Sequence, residues 1–495
     1  MQAVSQKNEP VEDRSLVSEE YVVKAMPPIL GNFDMTATYL MIVFFITNAT
    51  VAASGGAAAF TFLLLGGITF FIPSVIATAQ LANMFPYEGS LYNWTHRALG
   101  GYWSFFSAFC AWFPGILVMI STGDVIVSFI QGLNSNWLTD PRQQGAVIIA
   151  VILFSSIIAT QRFRMVQNLV NMVIVLTFIA VFLIGLAGAV WLLQGHPSAT
   201  NFANLADWNI NWRPTGNIGL FGLITLAYLG VEGPLNMAGE IKERKIIRSH
   251  LIWGTLIVFI GYFVATFSLL VVTGAANASA TPFSLVSIVD TTLGKVAGSI
   301  TAVCLMSFFL MATVVYSYTY ARLPLVAALD QRLPVLLGKL NKNRVPGGAI
   351  WAQTIFAALV TCLVFFALPF VPNLGTPVNL STEVYNVSLA ASTLVWAFST
   401  LFLFVNIGIF YFRDKKTFNK HRIFPMPLLA VTMPLGALSC ILAIIDTLFY
   451  SWIGTLIDNV HWLISIGSLT FICVVIAAIG SMFASSEAVW ESMKN

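Results

Sequence analysis

The chain has 495 residues, 58% of them hydrophobic and 9% charged, with a mean hydropathy of +0.83. Soluble globular domains carry roughly 25% charged residues, so that class is excluded, as are disordered and collagen-like chains, which need low hydrophobicity or periodic glycine. A net charge of +3, from 24 Lys and Arg against 21 Asp and Glu, is too small for a nucleic-acid-binding surface.

The first 33 residues place Glu9, Glu12, Asp13, Glu19 and Glu20 among Lys7, Arg14 and Lys24. They hold no apolar core of a cleaved signal peptide, and they read as a cytoplasmic tail. Beyond them, hydrocarbon about 30 Å thick requires roughly 20 apolar residues per helix. Twelve such runs follow: 36–56, 58–83, 102–130, 145–160, 166–193, 217–239, 249–273, 294–321, 347–370, 383–412, 426–449 and 459–484. With an even number, both termini share one side, and 21 of the 24 Lys and Arg fall on it; only Arg142, Arg213 and Lys295 fall opposite. The positive-inside rule then makes both termini cytoplasmic in a multi-pass protein of the cell membrane, with the lipid bilayer as its solvent. Cys110, Cys304, Cys362, Cys440 and Cys473 all sit in apolar runs and read as packing residues, without disulfide or zinc spacing.

Spanning helices satisfy their own backbone, so an interruption inside one points to a site. The first span contains Thr47-Asn48-Ala49-Thr50 and then Ala52-Ala53-Ser54-Gly55-Gly56; the sixth contains Tyr228-Leu229-Gly230-Val231-Glu232-Gly233-Pro234. Proline removes a donor and clashes with the preceding turn, and glycine lowers the cost of unwinding. Interruptions in the first helix of each of two five-helix halves are the pattern of a secondary transporter built from inverted repeats, with its site at the midplane. Free N–H groups and carbonyls at such breaks suit the two poles of a zwitterionic amino acid. The expected organisation is a cytoplasmic tail (1–33), a first repeat of helices 1–5 (34–193), a second of helices 6–10 (217–412), helices 11–12 (425–484) and a cytoplasmic tail (485–495).

Three stretches carry a family resemblance. Phe85-Pro86-Tyr87-Glu88-Gly89-Ser90-Leu91-Tyr92-Asn93-Trp94 with Ala98-Leu99-Gly100 resembles the F-P-x-x-G-G-x-Y-x-W and A-x-G signature of the amino acid-polyamine-organocation superfamily, Ser90 standing where glycine is usual. Gly230-Val231-Glu232 and Gly239-Glu240 match its G-x-E and following E. Arg322, Asp330, Leu333-Pro334 and Val345-Pro346 resemble its R, D-G-x-x-P and V-P pattern, with Gln331 in place of glycine. Thr47-Asn48, with Ala53 and Gly55 beyond and Phe71-Ile72-Pro73 in the second span, is more similar to the glutamate/γ-aminobutyrate antiporter branch than to arginine/agmatine-type members. The resemblance covers about residues 30–480. It implies an all-α membrane protein of twelve helices: a five-plus-five inverted repeat of leucine-transporter type with broken helices 1 and 6, plus two C-terminal helices. The function implied is amino acid transport or exchange by alternating access. A polyamine or other organic-amine transporter is the alternative, and a channel or receptor-like member of the fold is a further one.

The substrate site is expected at Thr47, Asn48, Ala49, Thr50, Tyr228, Leu229, Gly230 and Val231, with Glu232 as the coupling candidate because an intramembrane carboxylate is functional by default. Gate candidates are Trp112, Tyr316, Trp396 and Glu240, the last beside Lys242, Glu243, Arg244 and Lys245 in a helix-end charge run. Asp124 lies about seven residues, or roughly 10 Å, from the outer end of the third span, and reads equally as lining an outer vestibule or as an interfacial carboxylate bonded to backbone; Asp446, closer to a span end, reads as interfacial. The fifth span holds no Lys, Arg, Asp or Glu, only polar residues such as Asn171 and Thr177; proton-coupled members of the superfamily often carry a lysine there, so the resemblance weakens proton symport relative to exchange or facilitated uptake. A sodium site would draw on Ser307, Thr313, Ser317 and Thr319. No H-E-x-x-H, G-x-S-x-G or phosphate-binding loop is present and the five histidines are dispersed, so neither an enzyme, a metal nor another cofactor is indicated.

Overall fold

A computed structural model describes residues 16–211, 217–278, 281–370, 377–452 and 457–494; the first 15 residues of the expected N-terminal tail, and Arg213, lie outside them. Among the described residues the fold is helical. The one strand-like feature is a parallel bridge between Leu30 and Ile241.

The helices in chain order are α1 (Val17–Ala25), α2 (Asn32–Val43), α3 (Asn48–Ala53), α4 (Ala58–Gly66), α5 (Ile72–Met84), α6 (Ser90–Leu99), α7 (Gly101–Leu133), α8 (Pro141–Ala159), α9 (Phe163–Leu193) and α10 (Leu220–Leu226). A 3-10 segment (Gly233–Glu240) precedes α11 (Arg244–Val272), α12 (Gly274–Ala278), α13 (Ser284–Leu293), α14 (Lys295–Tyr320), α15 (Arg322–Leu329), α16 (Gly347–Cys362), α17 (Pro377–Arg413), α18 (Lys415–His421), α19 (Met426–Phe449) and α20 (Asn459–Lys494). The last helix runs through residues expected to form the C-terminal tail, and α12 and α13 lie in the connection between the expected seventh and eighth spans. Ten helices among the described residues are long and apolar enough to cross a membrane, and they coincide with the expected spans 2–5 and 7–12.

The two expected spans outside that set are the first and the sixth, the two with interruptions. In the first, α2 runs twelve residues, about 18 Å, and stops where Phe44 leaves the helical region at φ −91°, ψ 67°. The chain turns through Phe45–Thr47 and re-enters a helix for six residues. In the sixth, α10 lasts seven residues and the backbone is irregular from Ala227 to Glu232. Gly230 sits there at φ +97°, and a Cβ on it would lie 3.0 Å from both Ile42 and Trp396, so both conformation and crowding select glycine.

Around these pieces α14 packs between α7 and α9, α11 against α2, α3 and α9, and α10 against α4 and α19. Helices α7 and α14 are mostly buried, whereas α20 is mostly exposed and presents Ile464, Phe471 and Phe483 outward. An apolar outer wall around a polar-flecked interior is what a lipid solvent requires. Four of the five cysteines are buried as packing residues; Cys362 instead faces outward, a correction to the reading of all five as packed.

Candidate functional site

Helix α7 begins beside α6 and α1 on the terminal face and ends on the opposite face. A cavity of about 1070 Å³ extends inward from that opposite face, where Gln131, Gly132, Gln144, Phe283 and Trp452 surround it. It ends at the two interruptions, on Phe45, Thr47 and Asn48 of the first and Ala227 and Leu229 of the second, with Tyr316 and Trp396 beside them.

Three side chains tie this floor together from neighbouring helices. The Tyr262 hydroxyl on α11 donates to the Val43 carbonyl at 3.1 Å, accepts from Asn48 Nδ2 at 3.4 Å and lies 3.5 Å from the Ala227 carbonyl, touching both breaks. Tyr316 on α14 donates to the Ile42 carbonyl at 2.8 Å, capping the end of α2. On α17, the Trp396 indole N–H donates to Glu232 Oε1 at 3.1 Å; Glu232 Oε2 is buried without a hydrogen-bond partner among the described residues. Tyr316 stacks on Tyr320 with ring centroids 5.1 Å apart, and Trp396 stands edge-on to both, making an aromatic layer under the cavity.

Interrupting the helices frees backbone groups. Among the described residues, the N–H groups of Ile46 and Thr47 in the first break and of Gly230 and Val231 in the second donate to no protein acceptor. In a protein interior such donors cost free energy unless a ligand or water accepts from them. The Thr50 hydroxyl is already engaged with the Thr47 carbonyl at 2.7 Å.

Below the aromatic layer, the terminal face is closed by buried charges. Arg322 Nε lies 2.9 Å from Glu88 Oε1, and its guanidinium also donates to Glu240 Oε1; all three side chains are almost inaccessible. Glu88 Oε2 accepts the Gly239 N–H at 3.1 Å. Beside them α1 is strapped across the face. Its Glu19 takes Arg97 and Asn93 at 2.6 Å each, and Ser18 donates from its N–H and its hydroxyl to Asp330 at 2.9 and 3.0 Å. Ile29 and Leu30 donate to the Glu240 carbonyl, so the approach to α2 pairs with the exit of the second break.

The structure thus brings Thr47, Asn48, Thr50, Leu229, Tyr316 and Trp396 together at the cavity, with Glu232 one hydrogen bond behind it. Ala49, Gly230 and Val231 belong to the breaks but do not line it. Tyr228 turns away, stacking on Phe71 at 4.5 Å and donating to the Leu63 carbonyl. Trp112 is not part of the floor; its N–H donates to Gln353 at 3.3 Å. Glu240 lies in the buried cluster rather than a solvated run. Asp446, near the end of α19, accepts the Gly222 N–H of α10 at 2.7 Å. Asn171 holds Asp34, which also takes Arg164, at the start of α2. Tyr262 escaped sequence reasoning because one tyrosine among thirteen, in an uninterrupted helix, carries no local signal.

A family model described as amino acid permease matches residues 34–478, and the chain belongs to that family. Relatives agree with it. An uncharacterized transporter of Legionella pneumophila is 25% identical over 68% of this chain and 74% of its own length. The lysine-specific permease LysP of Escherichia coli is 21% identical over 85% and 84%. The glutamate/gamma-aminobutyrate antiporter of Lactococcus lactis subsp. cremoris is 27% identical over 44% and 43%. The chain is therefore a multi-pass membrane protein of amino acid transport and not an enzyme, and its substrate is a small molecule of the amino acid class.

Proposed function

We propose that this protein is a secondary amino acid transporter or exchanger of the cell membrane that works by alternating access, with its substrate at the unwound parts of helices 1 and 6. The observation that carries this reading is that the cavity ends on both interruptions at once. Counting α2 with α3, and α10 with the 3-10 segment, as two further crossings gives twelve. Residues 34–193 and 217–412 are then the two inverted repeats, and the basic terminal face is cytoplasmic. Free N–H groups near Thr47 take the substrate carboxylate; Asn48 and the carbonyls of the second break take its amine. The conformation is then open to the outside and shut inside by the Tyr316, Tyr320 and Trp396 layer and by the Arg322 cluster. Inward opening requires both to part, with Glu232 as the titratable group nearest the moving break.

The runner-up, an organic-amine transporter, draws on the carboxylates of the cavity region, since either could pair with an ammonium. Reconstituted protein decides between transport modes. Saturable uptake of labelled amino acid, accelerated by unlabelled substrate inside the vesicle, supports exchange; an ion current that does not saturate overturns the transporter reading.

A further inference from the structure

Among the described residues, a single side chain lining the cavity is formally charged: Asp124 of α7. Its carboxylate is half-buried and, among the described residues, makes no hydrogen bond and no ion pair. Among the described residues, no lysine, arginine or histidine lines the cavity to balance it. Several other buried carboxylates are answered: Glu19 by Arg97, Asp34 by Arg164, Glu88 and Glu240 by Arg322, Asp446 by a backbone N–H, and Glu232 on one oxygen by the Trp396 indole. An unanswered carboxylate in a confined, largely apolar-walled cavity within the membrane is costly, and it persists where a mobile cation completes it.

Its depth identifies the cation. The hydroxyls of Thr122 on α7 and Thr313 on α14 are 2.7 Å apart, which sets these antiparallel helices level at that point. Tyr316 lies three residues below Thr313 and Asp124 two residues above Thr122, placing the carboxylate about 8 Å outward of the floor along the helix axes. A four-carbon stem ending in an ammonium, about 6 Å of methylenes plus one hydrogen bond, bridges that gap.

We infer that the cavity takes a cationic amino acid, its α-amino and α-carboxylate groups at the two breaks and its side-chain ammonium or guanidinium on Asp124. This rests on the transporter reading above and names its substrate class. A second carboxylate would meet a like charge and no cation among the described lining residues, so glutamate is disfavoured despite the local similarity to an antiporter of that substrate.

The test is a thermal-shift titration of purified protein with lysine, norleucine, cadaverine and glutamate, on the wild type and Asp124→Asn. Losing an unpaired charge should leave the variant folded, and norleucine checks that its floor is intact. Expected is at least tenfold tighter apparent binding of lysine than of norleucine, weaker binding of cadaverine, none of glutamate, and loss of the lysine preference in Asp124→Asn with norleucine affinity kept. Equal binding of lysine and norleucine, or a preference that survives the substitution, overturns the Asp124 assignment while leaving amino acid transport standing. Tighter binding of cadaverine than of lysine overturns the amino acid part in favour of an amine. Stabilisation by none of the four overturns both readings.

Discussion

The indole N–H of Trp396 donates to Oε1 of Glu232 at 3.1 Å, joining a helix of the surrounding bundle to the carboxylate of the second break. The same indole lines the cavity, so one ring separates the cavity from Glu232. Glu232→Gln keeps an acceptor for that N–H and cannot titrate. It should fold normally and flatten the pH dependence of transport, whereas Trp396→Phe, which strands the carboxylate, should cut transport at every pH. A pH–rate profile in Glu232→Gln identical to wild type would remove Glu232 from the coupling role.

Among the described residues, Tyr262 is the one whose hydroxyl touches both breaks. Tyr262→Phe deletes it while keeping the ring that packs edge-on to Phe44 and Tyr228. Interhelical hydrogen bonds in membranes are worth about 0.6 to 2 kcal/mol, so the variant should remain folded with at most that loss of stability. Substrate affinity should fall several-fold, because Asn48 loses its acceptor and the floor loosens. Unchanged affinity in a binding titration would mean that the hydroxyl serves packing alone.

Arg322 answers two buried carboxylates at once. Arg322→Met should destabilise the protein strongly, by about 3–5 kcal/mol, since Glu88 and Glu240 are left without a cation. Adding Glu88→Gln and Glu240→Gln to it should recover much of that loss. Thermal unfolding of the single and triple variants reads the difference; equal melting temperatures would show that the charges are not coupled.

Gln331 stands where the superfamily pattern has glycine, and it is held at φ +61°, the left-handed region, with its side chain exposed. An L side chain there costs roughly 1–2 kcal/mol, partly offset by the greater freedom of an unfolded glycine. Gln331→Gly should therefore raise thermal stability by about 0.5–1 kcal/mol without changing transport. A lowered melting temperature would show a stabilising side-chain role instead.

That departure was visible in the sequence as a mismatch, and its backbone consequence was not. The same boundary runs through the whole molecule. Ten spans were legible because apolar run length is a local property, and the interruptions near Thr47 and Gly230 were legible because glycine, proline and polar clusters act locally. Partnerships across the chain were not. Glu240 sits beside Lys242, Glu243, Arg244 and Lys245 and reads as a member of their helix-end charge cluster, yet the fold pairs it with a residue 82 positions on. Trp112 and Trp396 looked alike as gate candidates; only packing sends one to Gln353 and the other to Glu232.

The central claim, that substrate occupies the cavity floor at the two breaks, is tested most directly by protection of a cysteine at that floor. In an Asn48→Cys variant with Cys362 changed to alanine, a membrane-impermeant thiol reagent applied from the side opposite the termini should label position 48, and saturating lysine should slow that labelling at least tenfold. Labelling that proceeds at the same rate with and without substrate, in protein that still transports it, would contradict a site at the breaks.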